Sequence, residues 1–150
     1  MPKRQQIPAS IHTIEKYFAA LNVRDTLTMQ SLRTSDFALD WVHADAFEDK
    51  PLTLAETNQF WPAWFQGFPE MDFEVTRTIA AETVVVVQWT FTGTHNAPLG
   101  APIFDSPLAP TGKTIRLRGV SVYDLQDELL QRETMYIDLA TLWVELGVTV

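Results

Sequence analysis

A carboxylate at the end of a predicted strand is the group in this sequence best placed to do chemistry. An alternating run from Leu129 to Ile137 leads, without glycine or proline, into Asp138 and a short apolar segment that ends at Gly147. This pattern predicts a strand that delivers Asp138 to the edge of a sheet, directly before a helix. A carboxylate in apolar surroundings has a raised pKa and can act as a general base near neutral pH. Asp138 is therefore the first candidate catalytic residue.

Asp138 also has a purely structural interpretation. Aspartate is among the best helix N-caps, and its carboxylate would then accept hydrogen bonds from backbone amides near Ala140 or Thr141. Such bonds would lower the pKa of Asp138 and make it a poor base at neutral pH. The residues alone leave both roles open.

The alternation of side chains groups the neighbours of Asp138. With a period of two residues, Tyr136 and Asp138 lie on one face of the strand and Glu133 lies on the other. If Asp138 points inward, the Tyr136 phenol points inward too and can hydrogen-bond a substrate oxygen. Glu133 is then expected to pair with Arg116 or Arg118 on a neighbouring strand.

Two histidines are candidate catalytic residues because each closes a predicted strand, where cavity mouths form. His43 ends F-A-L-D-W-V-H and His95 ends T-G-T-H. Histidine can shuttle protons at neutral pH, although a polar strand terminus beside a loop is the alternative for both. The histidines show no H-x-H or H-x-x-x-H spacing, so no metal site is predicted. The tryptophans that could line a cavity, rather than only fill the core, are Trp41, Trp61, Trp64 and Trp89.

Composition is consistent with one globular domain over residues 1–150. The chain is 46% hydrophobic and 11% aromatic, which suffices for a buried core. Its net charge of -8 disfavours nucleic-acid partners, which need clustered Lys and Arg. The absence of cysteine excludes thiol nucleophiles, disulfides and thiolate metal sites. No apolar run reaches membrane-spanning length and the start lacks the apolar part of a secretory signal, so a soluble, cytoplasmic protein without a membrane partner is expected.

Hydrophobic spacing predicts helices early in the chain and strands later. The predicted helices cover residues 11–21, 25–32 and 53–67, and the predicted strands cover residues 37–43, 71–79, 83–94, 114–123 and 129–137. Thr53 is expected to cap the third helix, and Pro62 is expected to bend or split it. The proline-rich segment between His95 and Lys113 predicts a long loop over one end of the sheet. Helices followed by an antiparallel sheet indicate an α+β fold.

Four segments in the C-terminal half carry a family resemblance through their order and spacing. They are F-P-E-M-D-F-E-V at Phe68, W-T-F-T-G-T-H at Trp89, P-T-G-K-T-I-R-L-R-G-V-S-V-Y at Pro110 and E-T-M-Y-I-D-L-A-T-L-W-V-E-L-G at Glu133. With them the chain resembles the SnoaL-like polyketide cyclases of the nuclear transport factor 2-like superfamily. It departs from the family pattern at Thr134, where a tryptophan is usual, and in a longer loop between Gly100 and Pro110.

The resemblance implies a curved antiparallel sheet rolled against three helices into a cone, with an internal ligand cavity and a dimer formed through the sheet. In the family, the aspartate that matches Asp138 is the general base of an aldol closure that needs no cofactor. Tyr17 resembles a pocket tyrosine of the family. The resemblance thus implies cofactor-independent cyclisation or isomerisation of a small apolar carbonyl compound, and more remotely epoxide hydrolysis.

Two further hypotheses concern partners. The run from Val84 to Val87 puts apolar residues on both faces of the sheet, so a homodimer is expected to cover the face that lacks helices. The alternative to an enzyme is a non-catalytic ligand-binding or dimerisation module. Two features favour it: Thr134 stands where the family has a tryptophan, and no second acid-base group lies beside Asp138. A cavity filled by Trp and Phe would favour the module, whereas a cavity carboxylate with a raised pKa would favour the enzyme.

Overall fold

Four helices and a five-stranded sheet make up residues 7–147, the part of the chain that this computed structural model describes. The elements in chain order are α1 (Ala9–Asn22), α2 (Thr26–Ser31), β1 (Arg33–Val42), α3 (Leu54–Gly67), β2 (Glu70–Ala80), β3 (Val84–Thr94), β4 (Thr114–Gln126), β5 (Leu129–Ile137) and α4 (Leu139–Leu146). The predicted α+β fold, with three helices before β2 and a curved sheet, is confirmed. Residues 1–6 and 148–150 of the predicted domain lie outside the described residues. None of these four helices has both the length and the apolar character needed to cross a membrane.

The sheet has the strand order β1-β5-β4-β3-β2. Its pairs are antiparallel except at one edge, where β1 runs parallel to β5 and places Leu39 beside Glu133 and Trp41 beside Met135. The expectation of a wholly antiparallel sheet is therefore wrong for β1. Alternation identifies a strand but does not identify its neighbour, and the partner of β1 is the last strand of the chain.

Helices α1, α2 and α3 cover one face of the sheet, which we call the inner face. This face and the helices above it supply the aromatic core, including Tyr17 and Phe18 of α1 and Phe60, Trp61 and Trp64 of α3. On β3, alternate residues from Val85 to Phe91 are buried on this side. The opposite, outer face carries exposed polar side chains such as Gln88, Arg116 and Arg118.

Local signals determine where α3 begins but not how it responds to proline. The Thr53 side chain accepts a hydrogen bond from the Glu56 amide while the Glu56 carboxylate accepts one from the Thr53 amide, which confirms the predicted cap. The helix is not split at Pro62, contrary to one of the two expected outcomes, because it continues to Gly67. The segment 95–113 is a long loop, as predicted, and backbone hydrogen bonds between Leu99 and Leu108, and between His95 and both Gly112 and Lys113, hold it together.

Gly119 provides the space in which the Trp89 indole lies. The two residues are paired across β3 and β4, and a Cβ atom at position 119 would overlap the six-membered ring of the indole. Trp89 is buried, and its Nε1 donates a hydrogen bond of 3.0 Å to Ser121 Oγ. The missing side chain at Gly119 therefore lets the indole lie across β4 and reach Ser121.

We predict that Gly119→Ala lowers the free energy of unfolding by about 1–3 kcal/mol, because the added methyl overpacks a buried aromatic ring. Gly100→Ala is the matched control, since its Cβ would meet only Pro107 at 3.6 Å or more, and it should change stability by less than about 0.5 kcal/mol. Urea denaturation followed by tryptophan fluorescence measures both. Equal stability of the two variants would contradict this account of Gly119.

Candidate functional site

Asp138 is an exposed helix cap. Its Oδ1 accepts a hydrogen bond of 3.1 Å from the Thr141 amide, and its Oδ2 accepts one of 2.5 Å from the Thr141 hydroxyl. These two hydrogen bonds hold the pKa of Asp138 below its ordinary value, and the bond from the Thr141 hydroxyl has the larger effect. The expectation that Asp138 faces an apolar internal cavity is therefore wrong, and its structural interpretation as an N-cap describes the observed geometry.

The predicted assignment of faces along β5 is inverted. Glu133 and Met135 are buried on the inner face, whereas Tyr136 is 51% exposed on the outer face. Glu133 thus does not pair with Arg116 or Arg118, which lie on the outer side of β4. Alternation separates two faces without saying which one is buried. The assumption that Asp138 points inward selected the wrong face.

Tyr136 and Asp138 do lie near one another, but they line an open groove on the outer face. The groove has a volume of about 440 Å³, and Gln88, Arg118 and Val120 contribute to its walls. It is open to solvent, so it lacks the apolar enclosure that would raise the pKa of a carboxylate. Contact of Tyr136 with a substrate stays a prediction.

Glu133 is the buried carboxylate of this structure. Its Oε2 accepts hydrogen bonds from Ser121 Oγ at 2.9 Å and from Tyr123 Oη at 3.2 Å. Its Oε1 is buried and has no hydrogen-bond partner among residues 7–147. Burial raises the pKa of Glu133 from 4.5 to about 7, against the opposing effects of the Ser121 bond, the positive charge of Arg33 and the Tyr123 bond.

The sequence of β5 contains a signal for the burial of Glu133. Apolar residues are slightly more frequent on the face of β5 that contains Glu133. Alternation places Leu129, Gln131, Met135 and Ile137 on that face, and Leu130, Arg132, Thr134 and Tyr136 on the other. The more apolar of the two faces of a half-buried strand is the one expected to face the core. On that criterion Glu133, and not Asp138, is the carboxylate that points inward.

An apolar cavity lies between α3 and the inner face of the sheet, near Glu133 but without Glu133 among its lining residues. We call it the aromatic cavity, and its lining residues are Phe60, Trp61, Trp64, Phe73, Trp89, Met135 and Ile137. Met135 lies two residues from Glu133 on the same strand face. Trp89 connects to Glu133 through Ser121, which accepts a bond from the indole and donates one to the carboxylate. The free space is only about 10 Å³, close to the least that holds one water molecule.

The other aromatic candidates divide between this cavity and the core. Trp64 and Trp89 line the aromatic cavity, so their contact with a ligand stays a prediction that the geometry permits. Trp41 is not among its lining residues and instead packs on Phe60 and stacks on His43. Ligand contact at Trp41 likewise stays a prediction.

Tyr17 belongs to a buried polar cluster beside the cavity. Its hydroxyl accepts a hydrogen bond of 2.7 Å from Arg33 Nη2, and Arg33 Nη1 donates one of 3.3 Å to Asn58 Oδ1. The Arg33 guanidinium also lies 5.2 Å from the centre of the Phe37 ring. Burial raises the pKa of Tyr17 to about 12 although the charge of Arg33 lowers it, so Tyr17 is a neutral phenol at physiological pH.

Neither histidine lines the aromatic cavity or the groove that contains Asp138. His95 is fully buried, its Nδ1 accepts a bond of 3.1 Å from the Thr111 amide, and burial lowers its pKa. His43 stacks on Trp41, with its Nδ1 2.8 Å from the Trp41 carbonyl oxygen. A catalytic role for either histidine stays a prediction. Within residues 7–147 no three His, Asp or Glu side chains are grouped closely enough to hold a metal ion.

Sequence comparison identifies the family. The family model described as SnoaL-like polyketide cyclase matches residues 11–146, which is nearly the whole chain. The chain belongs to the SnoaL-like polyketide cyclase family. No curated protein sequence matches the chain.

Solved structures of several proteins share the fold of this chain. A proposed SnoaL-like polyketide cyclase from Jannaschia sp. CCS1 aligns over 100% of both chains, with a TM-score of 0.80 and 18% identity. AclR, a proposed hydroxylase from Streptomyces galilaeus, aligns over 92% of this chain and 95% of its own, with a TM-score of 0.78 and 21% identity. IdmH, a proposed polyketide cyclase from Streptomyces antibioticus, aligns over 93% and 99%, with a TM-score of 0.73 and 20% identity. At these identities the likeness shows the shared fold.

The raised pKa of Glu133 predicts a specific pH dependence of stability. Between pH 4.5 and about 7 the folded state holds a proton that the unfolded state has released, so this carboxyl group makes folding less favourable as the pH rises. Glu133→Gln removes that titration. The variant should therefore gain stability relative to the wild type between pH 4.5 and pH 8, by an amount on the order of 3 kcal/mol, since a tenfold change in an ionisation constant corresponds to about 1.4 kcal/mol. Urea denaturation of both proteins across this range measures the difference, and parallel stability curves would argue against a raised pKa.

Proposed function

We propose that this protein is a small-molecule enzyme that performs acid-base chemistry on an apolar carbonyl compound without a cofactor, and that Glu133 transfers the proton. The observation that carries the proposal is the Oε1 atom of Glu133. It is buried, without a hydrogen-bond partner among the described residues, on a carboxyl group whose pKa is about 7 and which lies two residues along β5 from Met135 of the aromatic cavity. A carboxylate with such a pKa is half ionised at neutral pH and can both take and return a proton.

The surroundings of Glu133 fit this role. Ser121 and Tyr123 both donate to Oε2, so they hold the orientation of the carboxyl group and leave the lone pairs of Oε1 free. Oε1 would remove the proton from the carbon beside a substrate carbonyl group. Return of that proton to another carbon of the conjugated enolate gives isomerisation. Attack of the enolate on a second carbonyl group, with return of the proton from Glu133 to the alkoxide that forms, gives an aldol cyclisation. A general base in this position contributes a factor of about 10²–10⁴ to the rate.

Family membership supports cyclisation or isomerisation as the reaction type. The family model is named for polyketide cyclases, and two of the similar structures are proposed cyclases. The aromatic lining of the cavity suits an apolar substrate with planar rings. This proposal differs from the sequence-based hypothesis in the residue that acts as base, because the surroundings of Asp138 hold its pKa low while those of Glu133 raise its pKa.

The second candidate function is a non-catalytic ligand-binding or dimerisation module. The observation that favours it is the small free space of about 10 Å³ in the aromatic cavity, which aromatic side chains fill almost completely. In that case Glu133 would be a buried polar group that fixes the packing between β4 and β5. The two candidates differ in whether proton transfer occurs.

Deuterium exchange into 2-tetralone, an aromatic ketone with acidic C–H bonds, tests the base. We predict that the wild type catalyses exchange in D₂O at neutral pD and that Glu133→Gln lowers the rate by about 100-fold or more, because the amide cannot accept the proton. Proton NMR of the ketone measures the rate. The amide keeps the size of the carboxyl group and can still accept the bonds from Ser121 and Tyr123, so circular dichroism should show an unchanged fold.

Asp138→Asn separates the two possible bases. We expect this variant to exchange at the wild-type rate, since asparagine caps a helix about as well as aspartate. Loss of exchange in Asp138→Asn with retention in Glu133→Gln would instead establish Asp138 as the base. Absence of exchange above the buffer rate in the wild type, with retained binding of the ketone, would favour the module.

We also propose that the protein forms a homodimer through the outer face of the sheet. Val84, Val86, Val120 and Val122 are only partly buried at the centre of this face, and Val86 pairs directly with Val122. Sedimentation at micromolar concentration should give about twice the chain mass of 17.0 kDa. Val122→Glu should shift the protein toward the monomer because it places a charge in the apolar centre of the interface. A wild-type protein that sediments only at the monomer mass would contradict this proposal.

A further inference from the structure

Trp61 separates two buried spaces. One is the aromatic cavity, and the other is a narrow void between α2, α3 and the start of β1, which Arg33, Asn58 and Pro62 help to line. Trp61 belongs to the lining of both spaces. The void by itself has no room for a water molecule. A ligand that spans both spaces would have to displace the Trp61 side chain, and it would then meet aromatic walls along its length and the Arg33 guanidinium at one end.

Arg33 is a buried cation that lacks a close negative partner. It is only 7% exposed, and its hydrogen bonds go to two neutral groups, the Tyr17 hydroxyl and the Asn58 side-chain amide. No carboxylate of residues 7–147 lies within 4.0 Å of its guanidinium. A buried charge without a paired counter-ion destabilises a fold, so such a group points to a functional role.

Two buried N–H donors at this position have no acceptor. The Nε atom of Arg33 and the Nε1 atom of Trp61 both lack a hydrogen-bond partner in the described part of the chain. Both side chains line the same void. Both also lower the pKa of the Tyr17 hydroxyl, which places the Trp61 N–H close to that oxygen although the geometry falls short of a well-formed hydrogen bond. Unsatisfied donors on a cation and on an adjacent indole suit a single anionic oxygen group.

We propose that Arg33 and Trp61 bind a carboxylate of the ligand, while the apolar rings of the same ligand occupy the aromatic cavity. The proposal deepens the function proposed above, on which it rests, by naming the substrate class as planar, apolar carboxylic acids. A carboxylate that the ligand already carries fits better than an enolate formed during the reaction, because Arg33 lacks its counter-ion before any reaction begins. The net charge of -8 would repel anions elsewhere on the surface, so the anion preference should depend on this one buried cation.

Binding of 2-naphthoate and of its neutral methyl ester to the full chain tests the proposal. The measurement is made at pH 8, where the free acid is fully ionised. We expect the wild type to bind 2-naphthoate about tenfold or more tightly than the ester, as a hydrogen-bonded charge pair requires. Arg33→Gln should bring the two affinities to within about threefold, and Arg33→Lys should keep part of the preference because it keeps the charge. Isothermal titration calorimetry measures all of these affinities.

The role of Trp61 has a matched control on the same helix. Trp61→Phe should weaken binding of the acid more than binding of the ester, because it removes the free N–H. Trp64 also lines the aromatic cavity and also has an unpartnered indole N–H in the described structure, but it does not line the void beside Arg33. Trp64→Phe should therefore change both affinities by the same factor and leave their ratio as in the wild type.

Equal binding of the acid and the ester by the wild type would overturn the proposal, whether or not the Arg33 variants fold. A preference for the acid that persists in Arg33→Gln would overturn it as well. These outcomes are separate from a failure of the proposed reaction, because exchange into the neutral ketone 2-tetralone depends on Glu133 and needs no carboxylate. Exchange without a preference for the acid would leave the reaction standing, and a preference without exchange would leave a carboxylate-binding module.

Discussion

The placement of a carboxylate on the apolar face of the sheet is the constraint on which the site depends. Ionised Glu133 in this position requires donors, because a buried charge without hydrogen bonds is strongly unfavourable. Ser121 and Tyr123 on the adjacent strand supply them. Ser121 is itself oriented by the Trp89 indole, which can reach it only because Gly119 has no side chain. One acidic residue on β5 thus constrains residue types on β4 and β3.

Strand β1 adds to this buried cluster a positive charge that no carboxylate of the described residues pairs with directly. Arg33 lies at the start of β1 and holds the Tyr17 hydroxyl of α1, while the charge of Arg33 lowers the pKa of Glu133 from a distance beyond direct contact. A direct ion pair would lower the pKa of Glu133 further and end its use as a neutral-pH base. The separation of the two charged groups keeps a basic carboxylate and a free guanidinium in one protein interior. Such an arrangement reduces stability, and it is explained by function more readily than by folding.

The parts of this structure that the sequence predicts are those that depend on local interactions. The caps at Thr53 and Asp138 are hydrogen bonds within three residues, and the strands follow from alternation along each segment. The parallel pairing of β1 with β5 and the inward face of β5 depend on residues far away in the chain, so a single segment does not determine them. The family resemblance correctly implied the fold. It also indicated Asp138, whereas the more apolar face of β5 contains Glu133. The burial of Arg33 could not be predicted for a related reason, since nothing in its local sequence indicates it.

The small free space in the aromatic cavity means that a ligand must displace side chains that line it, and one of these, Trp61, lies beside a weak point of its helix. Pro62, the residue next to Trp61, has no amide hydrogen. The Asn58 carbonyl therefore loses its usual hydrogen bond within α3. The helix is thus weakest beside the side chain that separates the cavity from Arg33. A ligand that displaces Trp61 must supply the free energy of opening, and its apparent affinity is reduced by the small population of the open state. Contact with the otherwise unpaired Arg33 charge is a source of that free energy which an uncharged apolar ligand lacks.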